Sequence, residues 1–345
     1  MRRLPLEAMT MYSELVEQLT VLEASRTLGS TPGVFVTKQV KGNDYYYFQY
    51  VDAAGSRHQK YLGRRDAVLD EMARRYAENK EALSADRESV ARLAASLRAL
   101  GAGQTDAPSA KVIRALADAG VFKAGAVLVG THAFVAIGNV LGVGWAGAGM
   151  MTQDVDLAAP RVLEVAAPGL TADVPALVDS LEMGFLPVPG FDRGSPSTSF
   201  KVLGQALRID LLTPAPARPR GPVAIPRFAA AAAPLRFLDY LIEAPIRAAI
   251  VAGDPALVFV PDPARFALHK LITASARPAA ETGKQHKDRV QAGQLLEVLL
   301  EDRPGDITLA AGALTARGRG WVKRVQGQLR HLPPDVAAAV SSQLG

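Results

Sequence analysis

The sequence contains no cysteine. Disulfide cross-links and thiolate metal sites are therefore excluded, and the absence favours a reducing, cytoplasmic setting. No apolar run approaches the roughly 18–20 residues needed to span a bilayer. The N-terminal stretch MRRLPLEAMTMYSELVEQL has two arginines, but acidic residues interrupt any apolar region a signal peptide would need. A soluble, cytoplasmic protein with no membrane partner is expected. Internal repeats are absent too, which leaves ordinary globular domains.

What is present is enough to build them. Of 345 residues, 49% are hydrophobic, which allows a sizeable core and two or three domains. The formal charge of +5 is unevenly spread. Residues 1–100 carry 15 basic and 13 acidic side chains, residues 101–219 carry 8 and 10, and residues 220–345 carry 16 and 11. An acidic middle between basic ends suits a metal-binding core beside surfaces that meet phosphates; a modestly basic protein with solvated charges has the same arithmetic.

The periodicity divides the chain into three. Residues 9–28 read as a helix, with Met11, Leu15, Leu19 and Leu22 at helical spacing and Gly29 at the C-cap position. Segments 33–40, 44–52 and 56–63 are rich in β-branched and aromatic residues. With Gly42-Asn43 and Ala54-Gly55 as turns, they predict a three-stranded antiparallel meander. A charged helix follows over 66–99, with a break near Ser84, so residues 1–100 form an N-terminal module. After the linker GAGQTDAPS, residues 108–219 read as helix 109–119, strand 126–130, a helix from Thr131, a Gly-rich stretch 142–149, strand 153–158, helix 172–183 and strand 206–213. A Pro-rich connection over 213–226 leads into residues 220–345, which hold a short strand at 256–260 and are otherwise mainly helical. The class is α+β: a small mixed-sheet core, a helical C-terminal domain and the antiparallel N-terminal module.

Three aspartates stand out in the core. Asp154 and Asp156 alternate along a strand, so both project from one face while Val155 and Leu157 face the other way. Two carboxylates so close repel unless a cation lies between them, and hard oxygen ligands suit Mg²⁺ or Mn²⁺. Asp210 lies within the apolar run Leu-Arg-Ile-Asp-Leu-Leu, where a lone carboxylate is costly to bury without a partner. Upstream, Gly130-Thr131 ends a buried strand and opens a helix. Glycine allows a phosphate close to the backbone, and the Thr131 hydroxyl with the helix N-terminal amides can hold it; the same pattern also serves as a simple N-cap.

Gly130-Thr131, then Thr152-Gln-Asp154-Val-Asp156-Leu, then Ile-Asp210-Leu resembles the nucleotidyltransferase superfamily with the polymerase-beta-like fold. There the order is a hydrophobic-Gly-Gly/Ser turn, Asp-x-Asp and a third acidic residue. Here the spacing from Gly130 to Asp154 is longer, and Thr131 replaces Ser or Gly. Downstream, His269-Lys270-Leu-Ile, Arg277 and Lys284-Gln-His-Lys287-Asp288 are similar to the AbiEii/MenA-like toxin nucleotidyltransferases. The resemblance implies that Asp154, Asp156 and Asp210 are catalytic metal ligands and that a nucleoside triphosphate (NTP) is the co-substrate. It also implies that Gly130, Thr131, Thr152, Lys270, Arg277, Lys287 and Asp288 form the nucleotide-binding set, with Lys270 on the triphosphate and Asp288 supporting the site. On this reading a nucleoside monophosphate passes to an acceptor. The acceptor is an RNA such as a tRNA 3′ end, with a possible antitoxin partner, or else a protein or a small molecule such as an aminoglycoside. The remaining alternative is a silent fold that only binds. His269 reads as structural rather than as a base.

The N-terminal strands add a separate signal. Tyr45, Tyr46, Tyr47, Phe48 and Tyr50 sit beside Lys38, Lys41, Arg57, Lys60, Arg64 and Arg65. Stacking rings with phosphate partners are what an RNA-reading sheet needs. One of the two alternating aromatic sets must face the core, and a sheet packed on both sides would use both.

Overall fold

In the computed structural model the described residues are 1–27, 33–40, 42–51, 57–145, 153–161, 171–189, 195–215 and 221–344. Gly29, Lys41 and Ala54-Gly55, to which the sequence assigned a cap, a basic neighbour and a turn, lie outside them, as do residues 146–149 of the Gly-rich stretch.

The chain opens with a two-residue strand β1 (Arg2–Arg3) and helix α1 (Leu6–Thr27), in which Leu15, Leu19 and Leu22 are buried as their spacing predicts. Strands β2 (Gly33–Val40), β3 (Asn43–Val51) and β4 (Arg57–Arg64) form the antiparallel meander. Helix α2 (Ala67–Ala99) then runs unbroken past Ser84, where the sequence reading placed a break. No glycine or proline interrupts it, and Asp66 caps its start by accepting a hydrogen bond from the Leu69 amide at 2.8 Å.

Next come α3 (Ala107–Asp118), β5 (Val127–Val129), α4 (Gly130–Val140), β6 (Val143–Gly144), β7 (Asp154–Ala158), α5 (Val174–Ser180), β8 (Phe185–Pro187), β9 (Ser199–Val202) and β10 (Arg208–Pro214). They are followed by β11 (Val223–Ile225), β12 (Ala230–Leu235), α6 (Leu238–Ile242), β13 (Ile246–Ile250) and β14 (Ala256–Val260). Helices α7 (Pro263–Ala276), α8 (Thr282–Asp302), α9 (Pro304–Thr315), α10 (Arg319–Leu329) and α11 (Pro334–Gln343) complete the chain. Strands β1, β6, β8, β9, β11, β12 and β13 went unanticipated. They are short, and the Ala-rich β12 has low strand propensity, so pairing in the sheet overrides the local preference.

A seven-stranded mixed sheet has the order β11-β12-β10-β7-β5, with β9 beside β10 and β8 beside β9. β10 runs parallel to β7 and β12, while β5 is antiparallel to β7. The fold is α+β. On β7 and β10, Val155, Leu157, Ile209 and Leu211 are buried in the main core, so their alternating neighbours face the other side.

A second, smaller core joins α1 to the body through Leu15, Leu19, Leu97 and Val251. At its centre the buried Tyr12 hydroxyl donates to the Ala249 carbonyl at 3.1 Å and accepts from the Ala249 amide at 2.9 Å. Replacing Tyr12 with Phe leaves both backbone groups without that partner. We predict a loss of about 1–3 kcal/mol in urea unfolding, and an unchanged midpoint would show that these bonds do not anchor α1.

Candidate active site

The parallel pairing of β7 with β10 sets Asp210 directly beside Asp156 and Arg208 beside Asp154. Neighbouring strands lie about 4.8 Å apart, so the two carboxylates emerge side by side from the solvent-facing side of the sheet. β5 delivers the third component. Val129 pairs with Asp156, and the chain then turns through Gly130 into α4. Gly130 has φ +71°, in the left-handed region, and a Cβ there would collide with Asp156 Oδ2. Only glycine permits this approach of backbone to carboxylate. Val129, at the N-cap position of α4, makes no side-chain hydrogen bond to the first turn, and the amides of a helix N-terminus point outward along its axis.

The electrostatics follow from this convergence. Burial, then Asp210 and Asp154, push the Asp156 carboxyl up to about 7, against the pull of Lys270 and Arg208. Asp154 is also raised, by burial first and Asp210 second. Among the described residues neither Asp154 nor Asp156 has an ion-pair partner. Asp210 does: its Oδ1 accepts from Arg208 Nε at 2.8 Å and from the Ser199 hydroxyl, which also accepts from Arg208 at 2.9 Å. Ser199 and Arg208 were missed in the sequence. Arg208 was legible as the residue two before Asp210 on a strand, hence on the same face, whereas Ser199 arrives on the unanticipated β9.

A cationic wall stands opposite. Asp288, buried on α8, accepts from Lys270 Nζ at 2.9 Å and from Arg277 Nε at 2.7 Å. Burial alone would raise this carboxyl, but Lys270 and Arg277 hold it below the usual range. Arg277 caps the end of α7 in extended conformation rather than continuing the helix, yet its side chain reaches the same carboxylate. Lys287, next to Asp288, donates from Nζ to the Thr131 hydroxyl at 3.2 Å, which ties α8 to the first turn of α4. Its ammonium is pushed down by burial and by Lys270, and pulled up by Asp288, Asp154 and Asp156. Lys284 instead points outward and pairs with Glu281. His269 is pushed down to about 3 by burial and Lys270, with Asp288 opposing, so it is neutral at ordinary pH. Thr152 lies outside the described residues.

Asp154, Asp156, Asp210, Gly130, Thr131 and Lys287 thus converge, with Lys270, Arg277 and Asp288 behind them. Among the described residues no three His, Asp or Glu side chains form a ready-made metal site. The donor chemistry nonetheless fits a hard divalent cation. Two unpaired carboxylates beside a third, with raised protonation, are what such an ion relieves.

The sequence profile of a family described as nucleotidyltransferase matches residues 107–314. A solved structure of an antigenic nucleotidyltransferase-like protein from Paracoccidioides brasiliensis is similar at 15% identity and a TM-score of 0.34, over 68% of this chain and 93% of that one. None of the curated proteins compared matches the chain.

The raised Asp156 carboxyl makes a pH prediction for the metal-free protein. Its folded pKa of about 7 lies above the ordinary 3.8. The folded state therefore holds the extra proton, and that stability declines as pH rises from about 4 to about 7. In EDTA, Asp156→Asn lacks this decline and becomes the more stable protein above pH 7, by at most about 4 kcal/mol and less where water reaches the site. Parallel melting curves for the two proteins from pH 5 to 8 would contradict the raised Asp156 carboxyl, which burial and then Asp210 and Asp154 produce.

Proposed function

The chain belongs to this nucleotidyltransferase family, and from that premise we propose that it transfers a nucleoside monophosphate from an NTP to an acceptor hydroxyl. The observation that carries the reading is the convergence of Asp154, Asp156 and Asp210 on the glycine-opened N-terminus of α4. Asp154, Asp156 and Asp210 would hold Mg²⁺ or Mn²⁺, which supplies charge neutralisation for the phosphates.

In the proposed reaction the acceptor oxygen bonds to the α-phosphorus, the bond to the bridging oxygen breaks, and pyrophosphate leaves with that electron pair. The hydroxyl proton passes to the Asp210 carboxylate, whose Oδ1 is oriented by Arg208 and Ser199. The α4 amides, Thr131 and Lys287 face the phosphates, and Lys270 adds positive charge from beside Asp288. Catalysis of this kind rests on positioning and electrostatic complementarity.

RNA is the favoured acceptor, with a tRNA 3′ end as the specific case. The basic excess at both ends of the chain suits a polyanion. A toxin-like role with an antitoxin partner follows from the resemblance of the Lys270 and Lys287-Asp288 segments, and expression in a host should then arrest growth. A second reading, a fold that binds nucleotide without transferring it, is favoured by the Arg208 and Ser199 clasp on Asp210.

One assay separates these outcomes. The protein is incubated with each α-labelled NTP, Mg²⁺ and total cell RNA, protein or small-molecule extract. Label is expected in RNA, and Asp154→Ala should lower it at least 100-fold while the variant melts within a few degrees of wild type. Label in protein or small molecules redirects the acceptor. Undiminished transfer by folded Asp154→Ala would remove the assignment, and no transfer by wild type in any fraction would favour the silent reading.

A further inference from the structure

The N-terminal meander has two faces of different character. Phe35, Tyr46 and Phe48 point toward α2, where Tyr76 packs on Phe35 and Phe48 at ring separations of 5.3 and 5.4 Å and Asp70 accepts from the Tyr46 hydroxyl at 2.7 Å. That set is core. The opposite face is built from three cross-strand rows, because residues paired across antiparallel strands share a side. One row is Val36, Tyr47 and Tyr61, the next is Lys38, Tyr45 and Arg64, and the third contains Gln49 and Gln59.

This face exposes an apolar and aromatic surface to solvent: Tyr61 is 55% exposed and Val34 49%. Its three tyrosines form one cluster, with Tyr61 at 6.0 Å from Tyr45 and 5.4 Å from Tyr47. Lys38 lies 5.2 Å over the Tyr47 ring and Arg64 is exposed at the edge. Among the described residues of the three strands, Lys38, Arg57, Lys60 and Arg64 stand against a single carboxylate, Asp44, which lies near Arg65. None of the residues in the three open-face rows is acidic.

We propose that this sheet face binds single-stranded RNA, stacking bases on Tyr45, Tyr47 and Tyr61 while Lys38 and Arg64 meet the flanking phosphates. Rings supply sequence-tolerant stacking, cations follow the backbone, and the exposed Gln49 amide and Gln59 amino group offer hydrogen bonds to base edges, while Gln59 Oε1 accepts from Lys38 Nζ at 2.7 Å. Same-face positions along a strand lie about 6.6 Å apart, so Tyr45 and Tyr47 present separate platforms to successive unstacked bases. A duplex keeps its bases stacked internally and gives these rings nothing to cover. The inference deepens the RNA-acceptor reading by giving the acceptor strand a docking surface outside the carboxylate site.

The test is fluorescence anisotropy of the full chain with a labelled 12-nucleotide single-stranded RNA at 50 mM salt, without NTP or divalent metal. Wild type and Asp154→Ala should bind alike. Tyr47→Ala/Tyr61→Ala should weaken binding at least ten-fold with an unchanged melting temperature. Lys38→Ala/Arg64→Ala should reduce the slope of log affinity against log salt by about 1.4, the share of two phosphates. Equal binding by wild type and the tyrosine variant, tighter binding of a duplex of the same length, or no RNA binding at all would overturn the proposal. Each of those results leaves nucleotidyl transfer standing, because that is read separately by label incorporation that depends on Asp154.

Discussion

Everything at the carboxylate site depends on the register of one parallel strand pair. β10 lies against β7 so that Asp210 faces Asp156 and Ile209 faces Val155. A one-residue slip of β10 would turn Asp210 into the core and bring Ile209 to the surface, so the hydrophobic pattern that builds the core also holds the acids together. The sheet therefore enforces a like-charge contact that the aspartates alone would avoid. Folding energy from the buried residues of both strands offsets that repulsion, and the site is left poised for positive charge.

The neighbouring Asp288 makes the contrast. It is the most deeply buried carboxylate of the region, yet its charge is stabilised because Lys270 and Arg277 both donate to it. Asp154 and Asp156 are less buried and, among the described residues, have no such donors. One carboxylate is thus structural, organising two cations and through Lys287 the first turn of α4, while the other two remain available. Breaking a paired, buried carboxylate is expensive, whereas an unpaired cluster is relieved by a ligand. The helical C-terminal segment and the sheet are in this sense one site built from opposite charges.

Much of this was legible in the sequence. Alternation placed Asp154 and Asp156 on one face, and the apolar setting of Asp210 argued for a partner; the positive-φ glycine before Thr131 was visible as a strand-to-helix turn. Strand pairing was not legible, since residues 156 and 210 are joined only by tertiary register. The Ser199 clasp stayed hidden for the same reason, because β9 is four residues long and carries little periodic signal. In the N-terminal module the two aromatic sets were separable by parity alone. Which set was core depended on α2, whose Tyr76 and Asp70 select Phe35, Tyr46 and Phe48.

The most direct measurement is anomalous diffraction from crystals grown with Mn²⁺ and a non-hydrolysable NTP analogue. The account predicts a manganese peak coordinated by the Asp154 and Asp156 carboxylates, with the triphosphate against the first turn of α4 beside Thr131 and Lys287. Nucleotide bound elsewhere, or a triphosphate in place with no manganese at those two carboxylates, would contradict it.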